Sequence, residues 1–440
     1  MNQATPNLTG FNTSGEEQKS QMHNYPTDLK SALTHKYKYW ETKPTNKINK
    51  INKDLKIKSQ NIESNLENRK VYNMVVPLPL PLSMEWMCVD TNDVDNLIKI
   101  KNLLLLHGDS WDENFKFNYT TKFLKWAIGD DHISLAIVIK QTNEIIGFIS
   151  AKIQNLTVFE TSKKFANVIF LCAHPNYRKK NIAQTLMDEL IRICAKSKIQ
   201  QGYFITPRFV PTPIKTIRSY YRPINYVKLQ KYNFVDLELT KPENKKNPKN
   251  IQKSFEIDKN NLLKYVKMEN KHIEKVYNIH KIFISKYNIH KNYTIDQFTS
   301  TLLSNDIVKS FVILNDQDDV VDFFSYYKLN FVTNFKNKFV LINSAYLYLH
   351  SCDISVEKFL NVLVSALQED SIDVLNVTDT MIIPEMIYSQ DLKIDENSDD
   401  ESFTKSYQYG FLKGPEKKYF NFFNWECPPV NQNQFSIELY

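Results

Sequence analysis

Arg178, Lys179 and Lys180 stand together with Asn181 immediately before a helix-like segment, and these are the residues in the chain whose types and spacing most suggest chemistry. A helix start offers unpaired backbone N–H groups and the positive end of the helix dipole, so such a turn suits a phosphorylated ligand. Read alone, it is equally a solvated turn between two buried elements. Cys172 lies just upstream. No His–Asp partner that would activate its thiol is evident, so it reads as core rather than nucleophile. The segment His107-Gly108-Asp109-Ser110-Trp111-Asp112-Glu113 gathers three carboxylates. In isolation it is an acidic loop facing solvent.

The elements that must position these groups can be read from periodicity. Val168 to Ala173 is an apolar run of strand length, and Ile182, Leu186, Leu190 and Ile193 recur at helical spacing, so the basic turn joins a strand to a helix. Upstream, Pro77 to Pro81 leads into a strand over Glu85 to Asp90 and a helix from Asn92 to Leu106, capped from Asp90 to Asn92. Ile133 to Ile139 and Ile145 to Ile153 form a hairpin. Gly202 to Thr206 is a further strand, followed by a loop with Pro207, Pro211, Pro213 and Pro223 that carries Arg218, Tyr220, Tyr221 and Arg222.

Beyond a Lys/Asn/Pro-rich linker the order of elements recurs. Tyr265 to Glu269 and the apolar positions from Ile273 to Phe283 repeat the first strand and helix. Val308 to Leu314 and Val320 to Lys328 repeat the hairpin, Val340 to Leu349 the apolar strand, and Val356 to Leu367 the helix after it. The displacement is about 175 to 180 positions throughout, which a duplicated α/β unit explains. At the turn the copies differ, because the second has Ser351-Cys352-Asp353-Ile354 in place of the cations.

With 440 residues, 42% hydrophobic and 24% charged, the chain is globular and too long for one ordinary core. It divides into a polar tail over 1–34 expected to be disordered, an N-terminal half over 35–240, a linker over 241–254 and a C-terminal half over 255–440. Lys/Asn-rich sequence from Asn46 to Asn73 reads as a solvated linker or surface helix. A net charge of +7 is mild and spread over polar segments, so nucleic acid is not an expected partner. Five cysteines without CxxC spacing read as reduced thiols, and neither a metal site nor a transmembrane segment is expected. Cytoplasm is the expected location, and a monomer the expected state.

Six separated segments resemble the N-myristoyltransferase family, over about Lys36 to Tyr440. Tyr37 to Pro44 (YKYWETKP) is similar to the family's Y-x-F-W-D-T-Q-P, and Gly147 to Ala151 (GFISA) is the family's own string. IFLCAHPNYRKKNIA is similar to N-F-L-C-V-H-x-x-L-R-S-K-R-x-A, and VPTPIKTIRSYYRPIN to L-P-x-P-x-x-T-x-R-Y-W-H-R-x-L-N. Asp373 to Asn376 and Tyr419 to Cys427 complete the set.

The resemblance implies an α/β (α+β) fold of two pseudo-symmetric GNAT-like halves around a continuous saddle-shaped mixed sheet. It implies direct transfer of a myristoyl group from myristoyl-CoA, the acyl donor substrate, to the N-terminal glycine amine of client proteins, with no metal. The N-terminal half would bind the donor. Lys38, Tyr39 and Trp40 would contact coenzyme A, as would Phe170, Leu171, Cys172 and Ala173 along the strand. The amides of Lys179, Lys180, Asn181, Ile182 and Ala183 would meet its phosphates, with Arg178 and Lys180 supplying charge. Main-chain N–H groups of Phe170 and Leu171 would hold the oxyanion, and the terminal carboxylate of Tyr440 would take the amine proton. On the acceptor side the resemblance places His107, Asp109, Asp112, Glu113, Ile169, Ile205, Tyr220, Tyr221, Asn376 and Gly414. Ile169 and Ile205 replace an asparagine and a threonine of the family, which implies a rebuilt amine pocket. Two other readings remain open: a GNAT-type acyltransferase acting on another amine such as lysine, and a catalytically weak acyl-CoA or lipopeptide-binding protein.

Overall fold

The computed structural model describes residues 25–47, 57–112, 114–235, 252–253, 255–258, 262–303, 306–380 and 408–440. Glu113, residues 1–24 of the tail, 48–56 of the Lys/Asn-rich stretch and nearly all of the 241–254 linker lie outside them.

The first half runs β1 (Met84–Cys88), α1 (Val94–His107), β2 (Lys116–Phe117), α2 (Thr121–Ile128), β3 (His132–Ile139), β4 (Glu144–Val158), β5 (Thr161–Ala173), α3 (Ile182–Lys196), β6 (Gly202–Thr206) and β7 (Lys215–Pro223). The second runs β8 (Tyr265–Lys267), α4 (Ile273–Ile284), β9 (Ile289–Asn292), α5 (Ile295–Leu303), β10 (Val308–Leu314), β11 (Val320–Lys328), β12 (Phe331–Phe335), β13 (Lys338–Ile342), β14 (Ser344–His350), α6 (Val356–Glu369), β15 (Val374–Thr378), β16 (Leu412–Phe423) and β17 (Phe435–Ser436). The sheet order is β1-β3-β4-β5-β6-β16-β7-β15-β14-β11-β10-β8. Read from either end it meets corresponding strands, so the two halves are related by a pseudo-twofold axis. Each half hands its last long strand across that axis: β16 pairs with β6, and β7 pairs with β15. The result is a continuous mixed sheet across both halves, as the resemblance implies, with β13, β12 and β2 in a small separate sheet.

Three local expectations change. The proline-bearing loop after β6 ends in a strand, β7, because pairing on both flanks with β15 and β16 outweighs local turn propensity, and Pro223 stands at its end. The apolar run Val340 to Leu349 is two strands, β13 and β14, in two different sheets. Between them the Asn343 N–H donates to Asp373 Oδ2 at 2.8 Å instead of to a strand neighbour. The α1 cap is Asp93, whose side chain accepts from the N–H groups of Asp95 and Asn96, just beyond the expected Asp90 to Asn92.

The tail also differs in its last part. Residues Leu29–Thr34 form a helix capped by Asp28, and Ala32 is buried beside Tyr37, Phe209 and Tyr419. Likewise Tyr72, within the Lys/Asn-rich stretch, is fully buried.

Candidate active site

The site grows from a break in β5. Ser150 of β4 pairs with Phe170, but Ala151 pairs with Val168, so Ile169 is an extra residue with no partner on β4. On the other flank, pairing with β6 runs only from Ala166 to Val168. Beyond Val168 the strands part. A cavity of about 420 Å³ opens there, lined by Ile169, Phe170, Leu171, Ile205 and residues of α3.

Helix α3 begins at the cavity wall. Asn181 adopts a left-handed conformation (φ 58°), and no side chain caps the helix, so the first-turn N–H groups have no intrahelical partner. Asn181, Ala183 and Gln184 line the cavity. The helix can approach β4 so closely because residue 147 is glycine: a Cβ there would lie 2.7 Å from Ile182 Cγ2 and 3.0 Å from Leu186 Cδ1. Lys180 is exposed, with its ammonium 5.0 Å from the Tyr177 ring centroid. The main chain of Arg178 and Lys179 lies in the same turn, Pro175–Lys180.

An aromatic arm closes one side. Trp40 stacks on Phe204 with ring centroids 5.3 Å apart, and both Tyr39 and Trp40 line the cavity. The Tyr39 hydroxyl donates to Asp188 of α3 at 3.0 Å, and buried Lys43 bonds the same carboxylate as well as the Tyr72 hydroxyl. The segment Tyr37 to Pro44 therefore both staples the terminus and covers the opening. Lys38, between these aromatics, is exposed.

A second, smaller cavity of about 30 Å³ is lined by Tyr440, Asn376, Ser110, Trp111, Thr378 and Pro415 among others. Asp109 lines the larger cavity while its neighbour Ser110 lines the smaller. The Phe170 and Tyr440 rings lie 5.9 Å apart, which brings the broken strand and the end of the chain together. Burial pushes the Tyr440 phenol up to about 12. In the smaller cavity Asn376 is 1% exposed; its amide donates to Ser344 Oγ (2.6 Å) and Ala345 O (3.2 Å), while its Oδ1 has no hydrogen-bond partner. A buried amide oxygen without a donor suits an incoming N–H.

The remaining sequence-selected residues are placed less centrally. Cys172 is buried in the core with Sγ 3.8 Å from Leu103 O, and Ala173 packs beneath α3. His107 stacks edge-on against His174, beside the basic turn, at 4.5 Å. Asp112 accepts the N–H groups of Asn114 and Phe115, and so shapes its own loop. Tyr220 is buried in the cluster beneath α6, whereas Tyr221 packs on Trp111. Gly414 lies in a bulge of β16 opposite Ser219, where a Cβ would meet Ser219 O at 2.9 Å.

Two family models match the chain: Myristoyl-CoA:protein N-myristoyltransferase, N-terminal domain, over residues 46–217, and the C-terminal domain of the same family over residues 236–438. The chain belongs to the N-myristoyltransferase family. It is 27% identical over 409 residues to the glycylpeptide N-tetradecanoyltransferase of Kluyveromyces lactis, covering 90% of this chain and 87% of that one. It is 26% identical to that of Plasmodium falciparum, covering 94% and 95%. In fold it is similar to the crystal structure of Saccharomyces cerevisiae N-myristoyltransferase with bound myristoyl-CoA, with a TM-score of 0.73 at 21% identity over 89% of this chain and 93% of that one.

Sequence reasoning missed several residues at the site. Asp188, Met187, Thr206 and Arg208 touch the arm or line the large cavity. Lys291 and Tyr348 hold the main-chain oxygen of Tyr440. For Lys291 a signal existed, since β9 alternates buried and half-buried positions with Ile289 and Lys291 both inward. Four residues are too few for such a pattern to stand out. Among the described residues no group of three or more His, Cys, Asp or Glu gathers as for a metal ion, and no helix is long and apolar enough to cross a membrane.

Proposed function

We propose that this chain is a protein N-myristoyltransferase that moves a myristoyl group from myristoyl-CoA to the N-terminal glycine amine of a protein by direct attack of the amine. The observation that carries the reading is the larger cavity at the broken strand Ile169 to Leu171, whose Phe170 ring lies 5.9 Å from the Tyr440 ring, with Tyr440 and Asn376 lining the smaller cavity beyond it.

In this reading the N-terminal half holds the donor. The phosphates of coenzyme A sit on the uncapped start of α3, where amide donors and the helix dipole meet negative charge. Tyr39 and Trp40 cover the donor, and the apolar part of the large cavity takes the acyl chain. Main-chain N–H groups at Phe170 and Leu171, beyond the end of the β6 pairing, face the thioester carbonyl and stabilise the oxyanion. Losing one such donor typically costs about 3 kcal/mol of transition-state stabilisation. The C-terminal half presents the peptide. Asn376 Oδ1 orients the amine, the carboxylate of Tyr440 takes its proton, and Asp109 offers charge to a basic peptide. A thiol acyl-enzyme is disfavoured by the burial of Cys172 away from either cavity. We read the enzyme as a cytoplasmic monomer.

The test is turnover of myristoyl-CoA with Gly-initiated, Ala-initiated and internal-lysine peptides. Thiol release with the Gly-initiated peptide alone supports the proposal. Lysine product alone would assign a different acyltransferase, a reading favoured by the apolar Ile169 and Ile205 in the cavity wall. Binding without thiol release would leave a lipopeptide-binding protein.

A further inference from the structure

We propose that Lys291 is a positioning residue for the carboxylate of Tyr440. The proposal rests on the reading of that carboxylate as the base and adds the group that holds it in its working state.

Lys291 is 2% exposed, and its Nζ donates to Glu438 O at 3.0 Å and to Tyr440 O at 3.0 Å, with Glu438 Oε2 at 3.2 Å. Three acceptors match the three protons of an ammonium, so the cation is fully engaged. Removing a lysine from water is costly, and a buried ion pair of this kind adds little net stability over an apolar pair. Its use therefore lies in what its bond to Tyr440 fixes. The Tyr348 hydroxyl donates to the same Tyr440 oxygen at 3.4 Å. One oxygen held from two sides sets the plane in which the carboxylate meets an amine.

The charge matters as much as the geometry. The Tyr440 carboxylate oxygen is bonded by the buried Lys291, which also pairs with the buried Glu438 carboxylate; beside Glu438 and without that cation the terminal carboxylate would favour its protonated form and could not accept the amine proton. Lys291 keeps it ionised, and Glu438 balances the lysine. The other groups facing this cluster are Lys152 with Asp130 from the β4 side, His280 of α4, His290 of β9, Asp109, and the buried phenols of Tyr119, Tyr203, Tyr293, Tyr327, Tyr346 and Tyr348. Burial holds His280 down at about 4, so it is neutral at working pH, and the phenols are raised.

The experiment compares the full chain with K291M, K291R and K291M/E438V, using myristoyl-CoA and a Gly-initiated peptide across pH. K291M should lower kcat at least about tenfold near neutral pH and leave KM for myristoyl-CoA within about twofold. The acid limb of the kcat profile should move up by about one pH unit, because the carboxylate has lost its cation. K291R should recover most of both effects. If K291M does not fold, the double variant, which removes the Glu438 carboxylate that K291M would leave buried and unpaired, is read in its place and should show the same slow turnover and shifted limb. A folded K291M or double variant with parental kcat and pH profile overturns the positioning role. A glycine-serine extension after Tyr440 separates the two levels. Turnover that survives the extension overturns the base reading and the positioning role with it. Turnover lost on extension, beside a parental double variant, overturns the positioning role alone.

Discussion

At the scale of single residues, the acceptor side rests on polar atoms that the fold leaves open or strains to cover. Asn376 Oδ1 is the clearest. Replacing Asn376 by alanine should lower kcat/KM for the peptide roughly ten- to a hundredfold, equivalent to about 1–3 kcal/mol, while the Kd for myristoyl-CoA stays unchanged. Steady-state kinetics with a calorimetric titration of the donor checks both halves of that statement. Asp379 shows the opposite balance. It is 3% exposed, its Oδ1 accepts the Arg218 N–H at 2.9 Å, and burial raises its carboxyl to about 6. A carboxyl whose native pKa lies above its unfolded value binds more protons when folded, so it costs the fold stability as pH rises from about 4 to about 6. Above that window the cost is up to about 3 kcal/mol. D379N keeps an acceptor for Arg218 and has no charge to bury. It should therefore raise Tm at pH 8, with the gain shrinking to nothing below about pH 4. Equal gains at both pH values would remove the charge argument.

At the scale of elements, the donor end depends on how closely α3 lies on β4. G147A would place a Cβ 2.7 Å from Ile182 and 3.0 Å from Leu186, side chains that anchor the first turns of the helix. Overpacking of this kind costs about 1–3 kcal/mol. Because it displaces the start of the helix, Tm should fall and myristoyl-CoA should bind more weakly, whereas an equally destabilising substitution far from α3 would lower Tm alone. The basic turn, the strand and the helix over Val168 to Ile193 were legible from periodicity, since each is a local pattern. The bulge at Ile169 was not, because it exists only as a difference in register between two strands. The same holds for Lys43 and Asp188, paired across 145 positions with nothing in either neighbourhood to announce the other.

At the scale of the whole molecule, the strands exchanged across the pseudo-twofold axis tie the halves together. β16 lies between β6 and β7, and β7 lies between β16 and β15. Residues 1–240 and 241–440 expressed separately should each expose a long unpaired sheet edge and fail to give a cooperative thermal transition, with acyl transfer appearing only in the whole chain. A soluble, cooperatively melting N-terminal fragment would show that the exchange is dispensable. The order of the repeat was readable because corresponding elements keep their spacing and hydrophobic period. Which strands cross over was not, because β7 and β16 carry no local mark of the partner they choose.

The sequence by itself determined the duplicated α/β order, the basic turn at the start of α3 and the resemblance to a family, since each is written in neighbouring residues. Tertiary structure alone decided that β5 breaks at Ile169 and parts from β6, that Asn376 keeps an open acceptor beside Tyr440, and that Lys291 and Glu438 gather beneath that residue. These depend on which groups are deprived of water together, and burial is a property of the assembled chain.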